Sequence, residues 1–221
     1  MSTNNAHIII VDGFPSSGKK LFGLELAITL MYNDQKTAIL LPSSSPLRTI
    51  IENRKKTHPF LPSPDIIERS NFNLETKNYD AILIPGIPPS DELASNVDTY
   101  ITILTSKTIQ KFEKDKNYIN KMWELKKHIA SCKSKSLNWV ILENHLKEKS
   151  TLDKSKQLQT LSKLYGFRVA PPINKRQSYL ETLNGISSQD KTFSSLKNDL
   201  TYEDICAKRE ITKLAEFIFN Q

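Results

Sequence analysis

Two cysteines in 221 residues, Cys132 and Cys206, cannot form a disulfide framework, so stability has to come from a packed core. No run approaches the roughly 18–20 apolar residues that cross a bilayer. The opening MSTNNA is polar, and His7–Val11 is too short for the apolar region of a secretion signal. These absences predict an intracellular, reduced, cytoplasmic chain. His7, His58, His128 and His145 are widely separated, so no cluster has metal-ligand spacing and no metal site is expected. Ser43, Ser44 and Ser45 are not set in a G-x-S-x-G elbow, and no catalytic acid–base arrangement emerges. Internal repeats are missing as well.

What is present suits a folded chain. Apolar residues make up 38% and charged residues 25%, a balance that favours a core over disorder. The length fits one substantial core, so residues 1–221 are read as a single domain. The net charge of +7 is unevenly placed. Positions 107–176 hold 17 Lys and Arg against 6 Asp and Glu, a local balance of +11, and the remainder sums to −4. Such a face attracts a polyanion or an acidic partner, or is simply a lysine-coated solvated surface.

Apolar runs and helical patterns alternate along the chain. Buried-strand signals fall on His7–Val11, Lys36–Leu41, Tyr79–Ile84, Asp98–Leu104, Ser136–Leu142 and Phe167–Ala170. Helical patterns follow Gly18, begin again at Leu47, and cover Thr108–Ile129, Leu152–Tyr165, Gln177–Leu183 and Tyr202–Phe219. Residues 55–76 read as an irregular connection with a short helix around Ile66–Glu68. Along the last helix, Ile205, Ile211, Leu214, Ala215, Ile218 and Phe219 are expected on the side that docks to the core. The alternation predicts an α/β fold, a mostly parallel sheet with helices on both faces. Trp139 is expected in the core. Trp123, in a lysine-rich helix, either packs the helix to the sheet or anchors a partner.

Gly13-Phe14-Pro15-Ser16-Ser17-Gly18-Lys19-Lys20 matches G-x-x-x-x-G-K-[ST] at all but its last position, between a strand and a helix. In such a loop the glycines let backbone approach phosphate oxygens, the helix N-terminus supplies N–H donors, and the lysine reaches the terminal phosphates. Gly13, Gly18, Lys19 and Lys20 are therefore the candidate phosphate-binding residues. Lys20 stands where a hydroxyl would ligate Mg²⁺, and its ammonium has no lone pair to offer. Pro15 removes one backbone donor. The strands that end at Leu41 and Ile84 run into Pro42 and Pro85 rather than an aspartate. Asp80 precedes its strand and should lie at the wrong edge. Asp12 is read as a turn former beside the loop.

The order of segments resembles the ParA/MinD-like deviant Walker ATPases, most closely the alphaproteobacterial MipZ branch that positions the division plane. The stretches that carry it are Ile8–Leu30, Lys36–Arg54 with its Glu52-Asn53-Arg54 ending, Tyr79–Ile84, and Leu137–His145 followed by Leu158–Arg168 and Pro171. The resemblance implies a P-loop NTPase fold, ATP or ADP as cofactor, and a role in division-site placement or chromosome partitioning. It also implies a ParB-like partner, non-specific DNA and a homodimer as associates. On it, Asn144 falls at the adenine-contacting asparagine, and His145 replaces a neighbouring arginine. The cross-dimer signature lysine falls on Phe14, the paired aspartates of the second strand on Leu40 and Pro42, and the Walker B aspartate on Pro85. No catalytic residue is therefore assigned, Mg²⁺ is not expected to be held in the usual way, and the expectation is a pseudo-ATPase. Lys147, Lys149, Lys154, Lys156 and Lys163 are the candidate contacts to DNA or a partner. The alternative is a non-hydrolysing scaffold that uses its basic face. A weaker one is a phosphoryl-transfer enzyme recruiting Asp12, Asp65 or Asp91.

Overall fold

A parallel sheet forms because the strand segments carry apolar side chains on both faces. In the computed structural model, which describes residues 6–72, 76–86, 93, 95–105, 107–133, 136–145, 152–174, 176–192 and 200–219, the strands are β1 (His7–Gly13), β2 (Thr37–Leu40), β3 (Asp65–Ile67), β4 (Ala81–Pro85), β5 (Thr99–Thr105), β6 (Asn138–His145), β7 (Arg168–Val169) and β8 (Ile173–Asn174). Their order is β3-β2-β4-β1-β5-β6-β7, with β8 also on β6, and these neighbours pair in parallel.

Successive residues point to opposite sides. Ile9 and Val11 join one apolar cluster, while Ile8 and Ile10 join the other. Over the first face lie α1 (Lys19–Tyr32), α2 (Pro46–Thr57) and α7 (Tyr202–Phe219). The second face is covered by α3 (Ile109–Lys114), α4 (Lys116–Lys133) and α5 (Leu152–Tyr165). A short α6 (Gln177–Glu181) continues as a 3-10 turn, Thr182–Asn184.

Several expectations need correction. The turn of helix placed at Ile66–Glu68 is the end of edge strand β3, aligned with β2 from Ala38 to Leu40. The long helix expected over Thr108–Ile129 is two helices, because Asp115 ends α3 and then caps α4 by accepting the Tyr118 N–H at 3.0 Å. In α7 the buried side carries Asp204 and Ala207, whereas Ile205 faces solvent. Trp139 is buried as expected, and Trp123 is 40% exposed with the Lys126 ammonium over its ring. Neither cysteine is in a disulfide.

A candidate phosphate site folded onto itself

β1 lies mid-sheet between β4 and β5, and the loop at its carboxyl end sits where ligands bind in open α/β sheets. That loop closes on itself. The Ser17 N–H donates to the Phe14 carbonyl at 3.1 Å. Pro15 and Ser16 occupy the corners, and Ser16 adopts φ 60, the positive angle that a type II turn asks of its third residue. Gly18, at φ 86, begins α1 in the left-handed region. At Gly13 a Cβ would come within 2.4 Å of the Ile103 carbonyl oxygen, so this end of the loop admits only glycine.

Lys19 turns back over the loop, its Nζ donating to the carbonyl oxygens of Gly13 at 3.0 Å and Phe14 at 3.4 Å. Its stem lies against Gly86, where a Cβ would sit 3.3 Å from Lys19 Cε. Lys20 is exposed beside it. Asn144, at the end of β6 and 1% exposed, donates Nδ2 to the Ser17 carbonyl at 2.8 Å. The expected pieces Gly13, Gly18, Lys19, Lys20 and Asn144 thus surround one loop. The Asn144 amide in this arrangement faces the loop backbone.

Beneath the loop runs a polar–aromatic layer that sequence reasoning did not anticipate. Phe14 stacks on Tyr118 of α4, with ring centroids 6.0 Å apart and planes at 28°. The Tyr100 hydroxyl donates to Asp12 at 2.7 Å, and Thr102 Oγ1 bonds both Tyr118 and the Trp139 indole N–H. Burial, with the neighbouring Tyr118 and Asp12, raises the Tyr100 phenol far above its ordinary pKa. Asp12 is a strand residue engaged with Tyr100, and the turn-forming role expected of it falls to Pro15 and Ser16.

The residues suit a phosphate anion better than a metal. For the anion there are a helix N-terminus, whose first N–H groups have no partner within the helix, two lysines, and the fully buried Ser17 Oγ, which has no protein partner. For a metal, β4 ends at Pro85, whose ring fills a notch in α1 where a Cβ on Gly23 would approach to 2.7 Å. Asp65 is held by Lys55 and Tyr79, and Asp80 accepts the Lys36 N–H at the entry to β4. Asp91 lies outside the described residues. Among the described residues no group of three or more His, Cys, Asp and Glu could hold a metal.

Of the five candidate DNA-contact lysines, Lys147 and Lys149 lie outside the described residues and Lys154 is described only as backbone of α5. Lys156 and Lys163 are exposed on that helix. No described helix is long and apolar enough to cross a membrane.

The model of the family described as ATPase MipZ matches residues 94–218. No curated protein sequence matches the chain. Among solved structures, the chain is similar to the MinD cell division protein of Aquifex aeolicus, at 13% identity and a TM-score of 0.61 over 98% of this chain and 97% of that one. It is also similar to a McdA–ATP complex from Cyanothece, at 11% identity and 0.57 over 98% and 97%. A third is a putative plasmid partition protein from Borrelia burgdorferi bound to AMPPNP, at 15% and 0.55 over 98% and 99%. At these identities the likeness establishes the P-loop ATPase fold.

Proposed function

That the chain belongs to the MipZ family of ATPases is the premise from which we propose a non-hydrolysing member, acting in division-site placement or chromosome partitioning. The observation that carries this reading is the replacement of the metal-binding positions by packing. Pro85 is wedged against Gly23, and Lys20 stands where the hydroxyl ligand would be. Hydrolysis in this class needs Mg²⁺ to neutralise charge on the transferred phosphoryl group and a held water to attack it. Neither role has a residue where β2 and β4 end, at Leu40 and Pro85. Phe14 stacks on Tyr118 of its own chain, so this position contributes no cation across a dimer.

A phosphate group remains within the site's means. Lys19 would exchange its two carbonyl contacts for phosphate oxygens, the start of α1 would supply N–H donors, and Lys20 would add a second cation in place of the metal. In this reading Asn144 positions the loop through Ser17.

Calorimetric titration of ATP and ADP, with and without Mg²⁺, tests the proposal. Binding in the range of about 0.1–1 mM is expected, where 1 mM corresponds to about 4 kcal/mol. It should be indifferent to Mg²⁺, lost in Lys19→Ala and weakened in Asn144→Ala, with no phosphate release above background. Mg²⁺-dependent tightening with turnover would overturn it. No binding at all would leave the scaffold reading, which the exposed lysines of α3, α4 and α5 on one side of the sheet favour.

A further inference from the structure

A second polar compartment lies between α1 and a segment remote in sequence from the loop. Glu25 is fully buried within α1. Its Oε1 accepts the Thr182 hydroxyl and the Ser188 N–H at 3.1 Å, and its Oε2 accepts the Ser188 hydroxyl at 2.7 Å. All three donors belong to the strap that leads from α6 towards α7. The strap itself is buried at Ser187, Ser188, Gln189 and Asp190.

The nearest cation is already committed. Arg54 of α2, 0% exposed, binds Asp190 with both terminal nitrogens, at 2.5 and 2.8 Å. Its remaining donors go to the carbonyls of Gly185 and Pro62 and to Ser63. Asp190 also accepts the Tyr32 hydroxyl at 2.8 Å. The other ionisable groups around Glu25 are Asp190 itself and, from α6, Tyr179, which bonds Glu210 of α7 while Glu210 pairs with Arg176. Lys191 turns outward to Glu181 and Asp204. The strands under α1 present apolar side chains such as Ile9, Ile39, Ala81 and Leu83. Two carboxylates thus share a sealed space with one guanidinium, and only Asp190 is paired to it.

We propose that Glu25 and the strap form a proton-controlled latch: with the proton bound, the strap is fastened to α1, and loss of the proton loosens it. An uncompensated carboxylate in such a space is strongly disfavoured, whereas the protonated acid keeps its place with its O–H donating to the Ser188 hydroxyl and its other oxygen accepting from Thr182 and the Ser188 N–H. Burial pushes the Glu25 carboxyl up to about 7 despite the hydrogen bonds from Thr182 and Ser188 that oppose it. The native state therefore holds this proton more tightly than the unfolded chain. The penalty is absent below the ordinary carboxylate range, grows with pH, and is complete only above about 7. The latch does not depend on whether the phosphate loop takes a nucleotide.

Hydrogen exchange of the full chain at about pH 5, 6, 7 and 8, corrected for the intrinsic rate, tests it. In the wild type, protection of amides 185–191 should fall by up to about tenfold per pH unit between the ordinary carboxylate range and about 7, and level off above it. In Glu25→Gln, whose amide can donate to Ser188 while its oxygen accepts from Thr182, protection should stay level. The same pH response in both proteins would overturn the latch. Carbon-13 titration of wild-type glutamate carboxyls supplies a reading that needs no variant. A midpoint near 7 for a buried resonance supports the latch, and every glutamate titrating in the ordinary range refutes it.

Discussion

A single contact shows how closely the candidate site is packed. Gly23 sits in the middle of α1, where glycine costs helix stability of roughly 1 kcal/mol relative to alanine. It is there because Pro85, at the end of β4, occupies the space a side chain would need. Gly23→Ala should therefore destabilise the fold although it raises helix propensity, by roughly 1–3 kcal/mol as overpacking generally does. Urea denaturation would show a lowered midpoint, and an unchanged or raised one would mean that β4 shifts freely. The pairing was not legible in the sequence, because the two residues come together only once β4 is docked under α1. The contacts of Phe14 with Tyr118 and of Asn144 with Ser17 were hidden for the same reason. Gly13, Gly18 and Lys19 could be found in advance, since a phosphate loop is a local pattern of strand, turn and helix. Glu25 left a faint signal, as a lone acid in the apolar run from Leu21 to Leu30.

Among the elements, α7 shows how local chemistry fixes a boundary. Thr201 and Asp204 form a reciprocal cap: the Asp204 N–H donates to Thr201 Oγ1 at 3.2 Å, and the Thr201 N–H and hydroxyl donate to Asp204 Oδ2 at 2.8 and 2.7 Å. Burial works to raise the Asp204 carboxyl, but Lys191 and the hydroxyls of Ser178 and Thr201 outweigh it and hold the group well below the usual range. Because the folded value is the lower one, this stabilisation is present above the unfolded carboxylate pKa of about 4 and is lost as pH falls below it. Thr201→Ala should cost about 1 kcal/mol near pH 7 and lose less on acidification than the wild type. Denaturation at about pH 7 and about pH 3 measures both. The full extents of α5 and α7 were readable from apolar periodicity and the residues at their ends. β3 was not, because three residues at a sheet edge are defined by pairing with β2 rather than by a pattern of their own. The break between α3 and α4 depended on one capping aspartate among many lysines.

Taken as a whole, the molecule concentrates exposed lysines on one face. Lys111, Lys114, Lys116, Lys121, Lys127, Lys156 and Lys163 are exposed on the helices that cover one side of the sheet, in the segment whose excess positive charge is visible in the sequence. Only Lys127 of these has a carboxylate partner among the described ion pairs, Glu124 at 2.9 Å. If this face meets duplex DNA, the contacts are to phosphates. Affinity should then fall steeply, by about a hundredfold or more between about 50 and 200 mM salt, with little preference for sequence. The double variant Lys156→Glu, Lys163→Glu should weaken binding and flatten the salt slope. Fluorescence anisotropy with two unrelated duplexes reads both effects, and a slope unmoved by the substitutions would place the contact elsewhere.

The fit of the Pro85 ring into the Gly23 notch also bears on descent. On the non-hydrolysing reading proposed above, a lineage regaining hydrolysis would have to exchange the proline for an acid, which would open a void against Gly23 and bury a carboxylate before any metal ligand at position 20 existed to use it. Filling the notch first would drive a methyl group into the proline. Each single step is a loss, so the change works as a ratchet: the chain can drift further from catalysis one residue at a time, but it can return only by several coordinated changes.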